Sequence, residues 1–65
     1  MQLQVNGKAL SLNGNTVADL IGQMELTGKR LAVEVNGEII PKSTHPSFTL
    51  KEQDTIEIIH AIGGG

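Results

Sequence analysis

The sequence predicts an α+β domain, with one main helix packed on one face of a mixed sheet. Three observations carry this: two Asn-Gly pairs that each sit between short alternating apolar runs, one stretch with helical apolar spacing, and a closing β-branched run. Alternation of period two marks half-buried strands, Asn-Gly supplies the two φ > 0 residues of a tight hairpin, and apolar residues at i, i+3 and i+4 mark a helix.

The opening MQLQV places Met1, Leu3 and Val5 on one face, and Asn6-Gly7 turns the chain. A second strand over residues 9–12 puts Leu10 and Leu12 on a shared face, with Ser11 opposite. Asn13, Gly14 and Asn15 end it. Thr16 then stands where a helix N-cap belongs, with Asp19 three residues on in the capping-box position. Val17, Leu20, Ile21 and Met24 form the helical stripe that covers the hairpin, and Gly28 breaks the helix afterwards. Residues 31–35 read as a third strand with Leu31, Val33 and Val35 inward and Glu34 outward. Asn36-Gly37 repeats the hairpin signal before Glu38, Ile39 and Ile40, and Pro41 stops that strand. The polar segment 42–47 reads as a surface loop or a single 3₁₀ turn, with Phe48 and Leu50 returning to seal the core.

The last strand begins at Thr55, with Ile56 and Ile58 on one face and Glu57 and Ile59 on the other. Hairpin, helix, hairpin, loop, strand is the element order of a ubiquitin-like β-grasp domain. In that fold the last strand lies beside the first, at the centre of the sheet. Residues 1–62 are therefore expected to form the β-grasp domain, and residues 63–65 a flexible C-terminal glycine tail.

Composition narrows the function classes. The chain has 65 residues, and one this short buries only about 60% of its unfolded surface, which leaves little room for an internal active site. Phe48 is the one aromatic, and five Lys and Arg against seven acids give a net charge of -2. Nucleic-acid binding normally needs stacking residues or a basic stripe, so no nucleic-acid partner is expected. With no cysteine, the chain has no thiol of its own for disulfides, metal ligation or nucleophilic attack. The first residues lack a signal-peptide layout, and no apolar stretch approaches the roughly 20 residues that span a bilayer. A cytoplasmic location and no membrane partner are expected.

Few side chains are of a type that carries chemistry. His45 and His60 are distant from each other in sequence and have no cysteine to support them, so no metal site is expected; His45 reads as a surface residue and His60 as a strand-end residue that caps the core. Ser11, Ser43 and Ser47 lack a cleft in which a base could be oriented, and no catalytic residue is assigned. The terminal glycines are no phosphate loop, because no helix follows them. Composition alone reads Gly63, Gly64 and Gly65 as a frayed end. Glycine also makes a thin segment that takes any φ, able to thread a narrow channel; three extended residues reach roughly 10 Å.

The stretches RLAVEVNGEIIPKS (30–43) and DTIEIIHAIGGG (54–65) settle between these readings. They resemble the ThiS-type sulfur carriers of thiamine biosynthesis, and the similarity runs over nearly the whole chain. One departure is Glu52-Gln53-Asp54, where the family often has glycine before the aspartate; it is expected to alter only the turn. The resemblance implies that the carboxylate of Gly65 is adenylated by a ThiF-type, E1-like adenylyltransferase using Mg and ATP, so that AMP becomes the leaving group. A persulfide from a sulfur donor such as a cysteine desulfurase then yields a thiocarboxylate for thiazole synthase. On this reading the chain binds no cofactor and is not itself an enzyme. Gly63 and Gly64 would thread the partner's channel, and Ile59, Ala61, Ala32 and Glu34 would form the docking patch. Acidic Glu34, Glu38, Asp54 and Glu57 read either as charges that steer the chain towards basic partner surfaces or as a merely solvated face. A sulfur carrier for molybdopterin synthesis, a ubiquitin-like modifier and a plain interaction module are the rival readings.

Overall fold

Both Asn-Gly pairs turn the chain as the sequence predicts: Asn6 and Gly7 have φ of 50° and 80°, and Asn36 and Gly37 have 52° and 87°. Two successive φ > 0 residues match the right-handed twist of the flanking strands, which a type I or II turn would splay. The computed structural model describes residues 1–60. Among these, Asn6-Gly7 joins β1 (Gln2–Val5) to β2 (Lys8–Ser11), and Asn36-Gly37 joins β3 (Leu31–Val35) to β4 (Glu38–Ile40). Between the hairpins lies α1 (Val17–Gln23); after them come a 3₁₀ turn (Lys42–Thr44) and β5 (Thr55–His60). The sheet order is β2-β1-β5-β3-β4, with β5 parallel to β1 and antiparallel to β3. The last strand is thus the central one, as expected.

The helix starts where its capping box directs. The Thr16 hydroxyl accepts the Asp19 N–H, and the Asp19 carboxylate accepts the N–H groups of Thr16 and Asn15. The N–H groups of Val17 and Ala18 donate to the carbonyls of Phe48 and His45, so the loop from β4 to β5 satisfies the first turn. The helix ends at its C-cap Met24, the last residue of its apolar stripe, but the residue that stops it differs from expectation. Glu25, not Gly28, reverses the chain, with φ of 60°. Leu26 N–H donates to Ile21 C=O and Glu25 N–H to Gly22 C=O, the paired bonds of a Schellman motif. Leu26 then packs on the core, and its burial holds a non-glycine residue in the left-handed region.

Val17, Leu20 and Ile21 from the helix bury against Leu3, Val5, Val33, Val35, Ile56 and Ile58 from the sheet. Leu50 seals the open end, and Phe48 packs partly buried beside it. His45 departs from its expected surface position: it is 8% exposed, and its Nε2 lies 3.1 Å from the Ile40 carbonyl. That geometry requires the Nε2–H form, which donates to a carbonyl left over where β4 ends.

Candidate functional site

Three polar side chains fix the strand that leads to the C-terminal residues. Asn6 Oδ1 accepts the Ile58 N–H at 2.8 Å, and the Asn6 N–H donates to the Ile56 carbonyl at 2.9 Å. On the other side, Asn36 Oδ1 accepts the Thr55 N–H at 2.9 Å, its N–H donates to the Thr55 carbonyl at 2.7 Å, and its Nδ2 donates to Asp54 Oδ1 at 3.0 Å. Asp54 Oδ2 in turn accepts the Lys51 N–H at 2.8 Å. Both hairpin asparagines therefore do a second job. They turn one strand pair and clamp β5 from either side. The sequence shows the turns, but nothing local in it shows that Asn6 meets a residue 52 positions away and Asn36 one 19 positions away.

Asp54 departs from the exposed steering charge expected of it. It is 7% exposed, and its carboxylate is committed to Asn36 and Lys51. Gln53 beside it has φ of 69°. This is the position where the resembled family often carries glycine, and the departure does alter the turn's strain, since a side chain now occupies the left-handed region.

The outer face of β5 presents Glu57 and Ile59. Ile59 stands opposite Ala32, and Glu57 opposite Glu34, while Glu34 also faces Ile39 on β4. Ile59 is half exposed at 50% and Ile39 is 64% exposed, so both aliphatic side chains remain in water on the face away from the helix. The structure thus brings Ile59, Ala32 and Glu34 together as expected and adds Ile39. Its signal lay in the Glu38–Ile40 alternation: with Ile40 inward, Ile39 must point out. His60 also departs from expectation. It is exposed and does not cap the core, because the pairing of β1 with β5 ends at Val5 and Ile56, four residues before it. The positions assigned at Ala61, Gly63, Gly64 and Gly65, and the boundary after residue 62, lie outside the described residues.

Asp19 is the residue with a displaced carboxyl: the N–H groups of Asn15 and Thr16, with the Thr16 hydroxyl, hold it below the ordinary carboxylate value of 3.8. It serves the helix cap and lies apart from the β5 face. Among the described residues no cluster of three His, Cys, Asp or Glu is placed to hold a metal ion, and no helix is long and apolar enough to cross a membrane.

Comparison with known proteins places this arrangement in a family. The ThiS family model matches residues 3–65. The sulfur carrier protein ThiS of Bacillus subtilis is 40% identical over 97% of this chain and 98% of its own length. A thiazole synthase of Paramagnetospirillum magneticum is 36% identical over the full chain, which spans only 20% of that larger protein. The crystal structure of the thiamine biosynthesis protein ThiS from Geobacter metallireducens superposes with a TM-score of 0.83 at 30% identity, each chain covered in full. The central β5, the apolar outer face and the full-length match in sequence and structure agree: the chain belongs to the ThiS family.

Proposed function

We propose that this chain is a sulfur carrier for thiazole formation in thiamine biosynthesis, a co-substrate of partner enzymes and not a catalyst. The observation that carries the proposal is the anchoring of β5: the strand preceding Gly63, Gly64 and Gly65 is the central strand, clamped by Asn6 and Asn36. A rigid root fixes where a following segment starts, which reduces the ordering cost when that segment enters another protein. The full-length similarity to a sulfur carrier supports the same reading.

The chemistry falls on Gly65. Its carboxylate oxygen attacks the α-phosphate of Mg-bound ATP in an E1-like adenylyltransferase, forming an acyl adenylate and releasing pyrophosphate. A persulfide from a sulfur donor attacks the carbonyl and AMP leaves. A second thiol of the partner then cleaves the S–S bond of the acyl disulfide, becoming part of a disulfide itself and leaving the thiocarboxylate. Thiazole synthase takes sulfur from it. A chain without cysteine has no thiol of its own to capture the activated acyl group or to exchange with the persulfide. Ile59, Ala32 and Glu34, with Ala61 and the newly found Ile39, form the docking face, and Gly63 and Gly64 thread the partner's channel. Occurrence of a similar segment within a larger thiazole synthase supports that enzyme as a partner. All of these steps belong in the cytoplasm.

Intact-mass measurement after incubation with the activating enzyme, ATP and a sulfur donor tests the proposal. A gain equal to exchange of one oxygen for sulfur, lost on deleting Gly65, is expected. Lysine-linked conjugates in place of that gain would overturn it in favour of a modifier. Failure of supplied thiazole to rescue a deletion strain would favour the molybdopterin reading.

A further inference from the structure

Positive charge is unevenly placed on this acidic chain. Three of its five Lys and Arg, Lys29, Arg30 and Lys42, gather at the end of the sheet where β5 finishes. They border two adjoining depressions that share Leu31 and Lys42. One, about 210 Å³, lies on the helix side, lined mainly by the apolar surface of Ala18, Ile21, Leu26 and Leu31, with Lys29 and Lys42. The other, about 350 Å³ and more open, passes to the outer face between Arg30, Lys42, Ala32, Ile59 and His60. Neither includes an Asp or Glu among its lining residues, although acids outnumber bases in the chain. The carboxylates nearest along the outer face are Glu34 and Glu57, one strand row beyond Ala32 and Ile59. The outer face is therefore ordered along β5 as acidic, then apolar, then basic.

We propose that this track around the end of β3 and β5 is a docking surface for a protein segment in which carboxylates flank an apolar side chain, carried by thiazole synthase. The inference rests on the sulfur-carrier reading and specifies the chemistry of its docking face. The apolar lining is large enough for one aliphatic or aromatic side chain, and Lys29, Arg30 and Lys42 meet the flanking carboxylates. Charge graded along the strand also sets direction: a partner with the opposite gradient is attracted in one orientation and repelled in the reverse one. Direction matters because β5 ends at His60, beside the basic end.

Direct binding of the full-length protein to thiazole synthase, measured by calorimetry at low and raised salt, tests this. Lys42→Glu and Arg30→Glu should each weaken binding on the order of tenfold, with the loss shrinking as salt screens it. Lys42→Arg should bind like the wild type. Lys8→Glu makes the same change in net charge on β2, at the far edge of the sheet, and should bind within about twofold of the wild type. Thermal midpoints of all variants report whether the fold is retained. Equal affinities for Lys42→Glu, Arg30→Glu and Lys8→Glu would overturn the docking track while leaving the carrier reading intact. Absence of binding by the wild type would overturn thiazole synthase as the partner, and the track with it.

Discussion

Replacing Asn36 by glycine isolates what its side chain contributes beyond turning the chain. Glycine takes φ of 52° without strain, so the Asn36-Gly37 turn survives and only the amide's two hydrogen bonds are lost. One is a neutral bond from Thr55 N–H, which contributes about 1 kcal/mol; the other donates to the carboxylate of Asp54, and bonds to charged groups contribute about 1.5–3 kcal/mol. Asn36→Gly should therefore cost about 3 kcal/mol, seen as a lower urea midpoint. For a domain of this size such a loss lowers Tm by roughly 15 °C. Asn36→Asp sharpens the test, because it keeps the acceptor for Thr55 but sets a second carboxylate 3.0 Å from Asp54 Oδ1. Two such carboxylates resist double ionisation, so at least one folded-state pKa rises above its unfolded value. A raised pKa adds stability below the unfolded value, near pH 4, which disappears as pH rises through the folded value. Asn36→Asp should accordingly be at least as unstable as Asn36→Gly at pH 7 and should recover towards the wild type near pH 3. A glycine variant within 0.5 kcal/mol of the wild type, or an aspartate deficit that ignores pH, would refute the clamp.

Glu25→Gly and Gln53→Gly should each stabilise the fold by about 0.5–1 kcal/mol in urea unfolding, because each relieves a side chain in the left-handed region. Gly14→Ala should destabilise by about 1–3 kcal/mol, because φ there is 144° and an added Cβ would sit 2.8 Å from the Asp19 side chain, displacing the helix cap. Asp19→Asn should lower Tm at pH 7, and the gap should close below the ordinary carboxylate value of 3.8: a depressed pKa gives stability present above that value and lost as pH falls through the folded one. Glu57→Lys should raise stability by about 0.2–1 kcal/mol, since Glu57 stands opposite Glu34 and like charges across a ladder repel.

Local signals carried most of the fold. The hairpins and the capping box follow from patterns within a few residues, because turn chemistry and side-chain period are local properties, while the central last strand follows from the order of elements along the chain. The helix end at Met24 follows from its apolar spacing, but the residue that reverses the chain after it was not legible in the same way. Gly28 looks like the terminator, yet the chain reverses at Glu25, where Leu26 packs, partly buried, against the core, a choice made by tertiary packing. His45 and Asp54 read as surface groups from their type, but each has a partner that only folding supplies: the Ile40 carbonyl and the Asn36 amide. For the candidate site, alternation placed Ile59, Ala32 and Glu34 on one face, and the same rule applied to three residues of β4 would have found Ile39. The basic track was invisible, because Lys29, Arg30 and Lys42 come from two loops that meet only when β3 and the 3₁₀ turn are in place.

The position of β5 also inverts chain order and spatial order. Gln4 pairs with Thr55 and Val33 with Ile58, so the last strand made is the one that joins both hairpins into a sheet. Until it arrives, each hairpin is an isolated two-stranded ribbon, which is marginal in water at best. Pairing across about fifty residues also requires closing a long loop before any contact repays it, so folding should be slow for so small a domain. The domain therefore assembles in one cooperative step that consumes its C-terminal strand. A chain whose sheet has closed has β5 fixed through to His60, and a chain broken before Thr55 has two hairpins with no strand to join them.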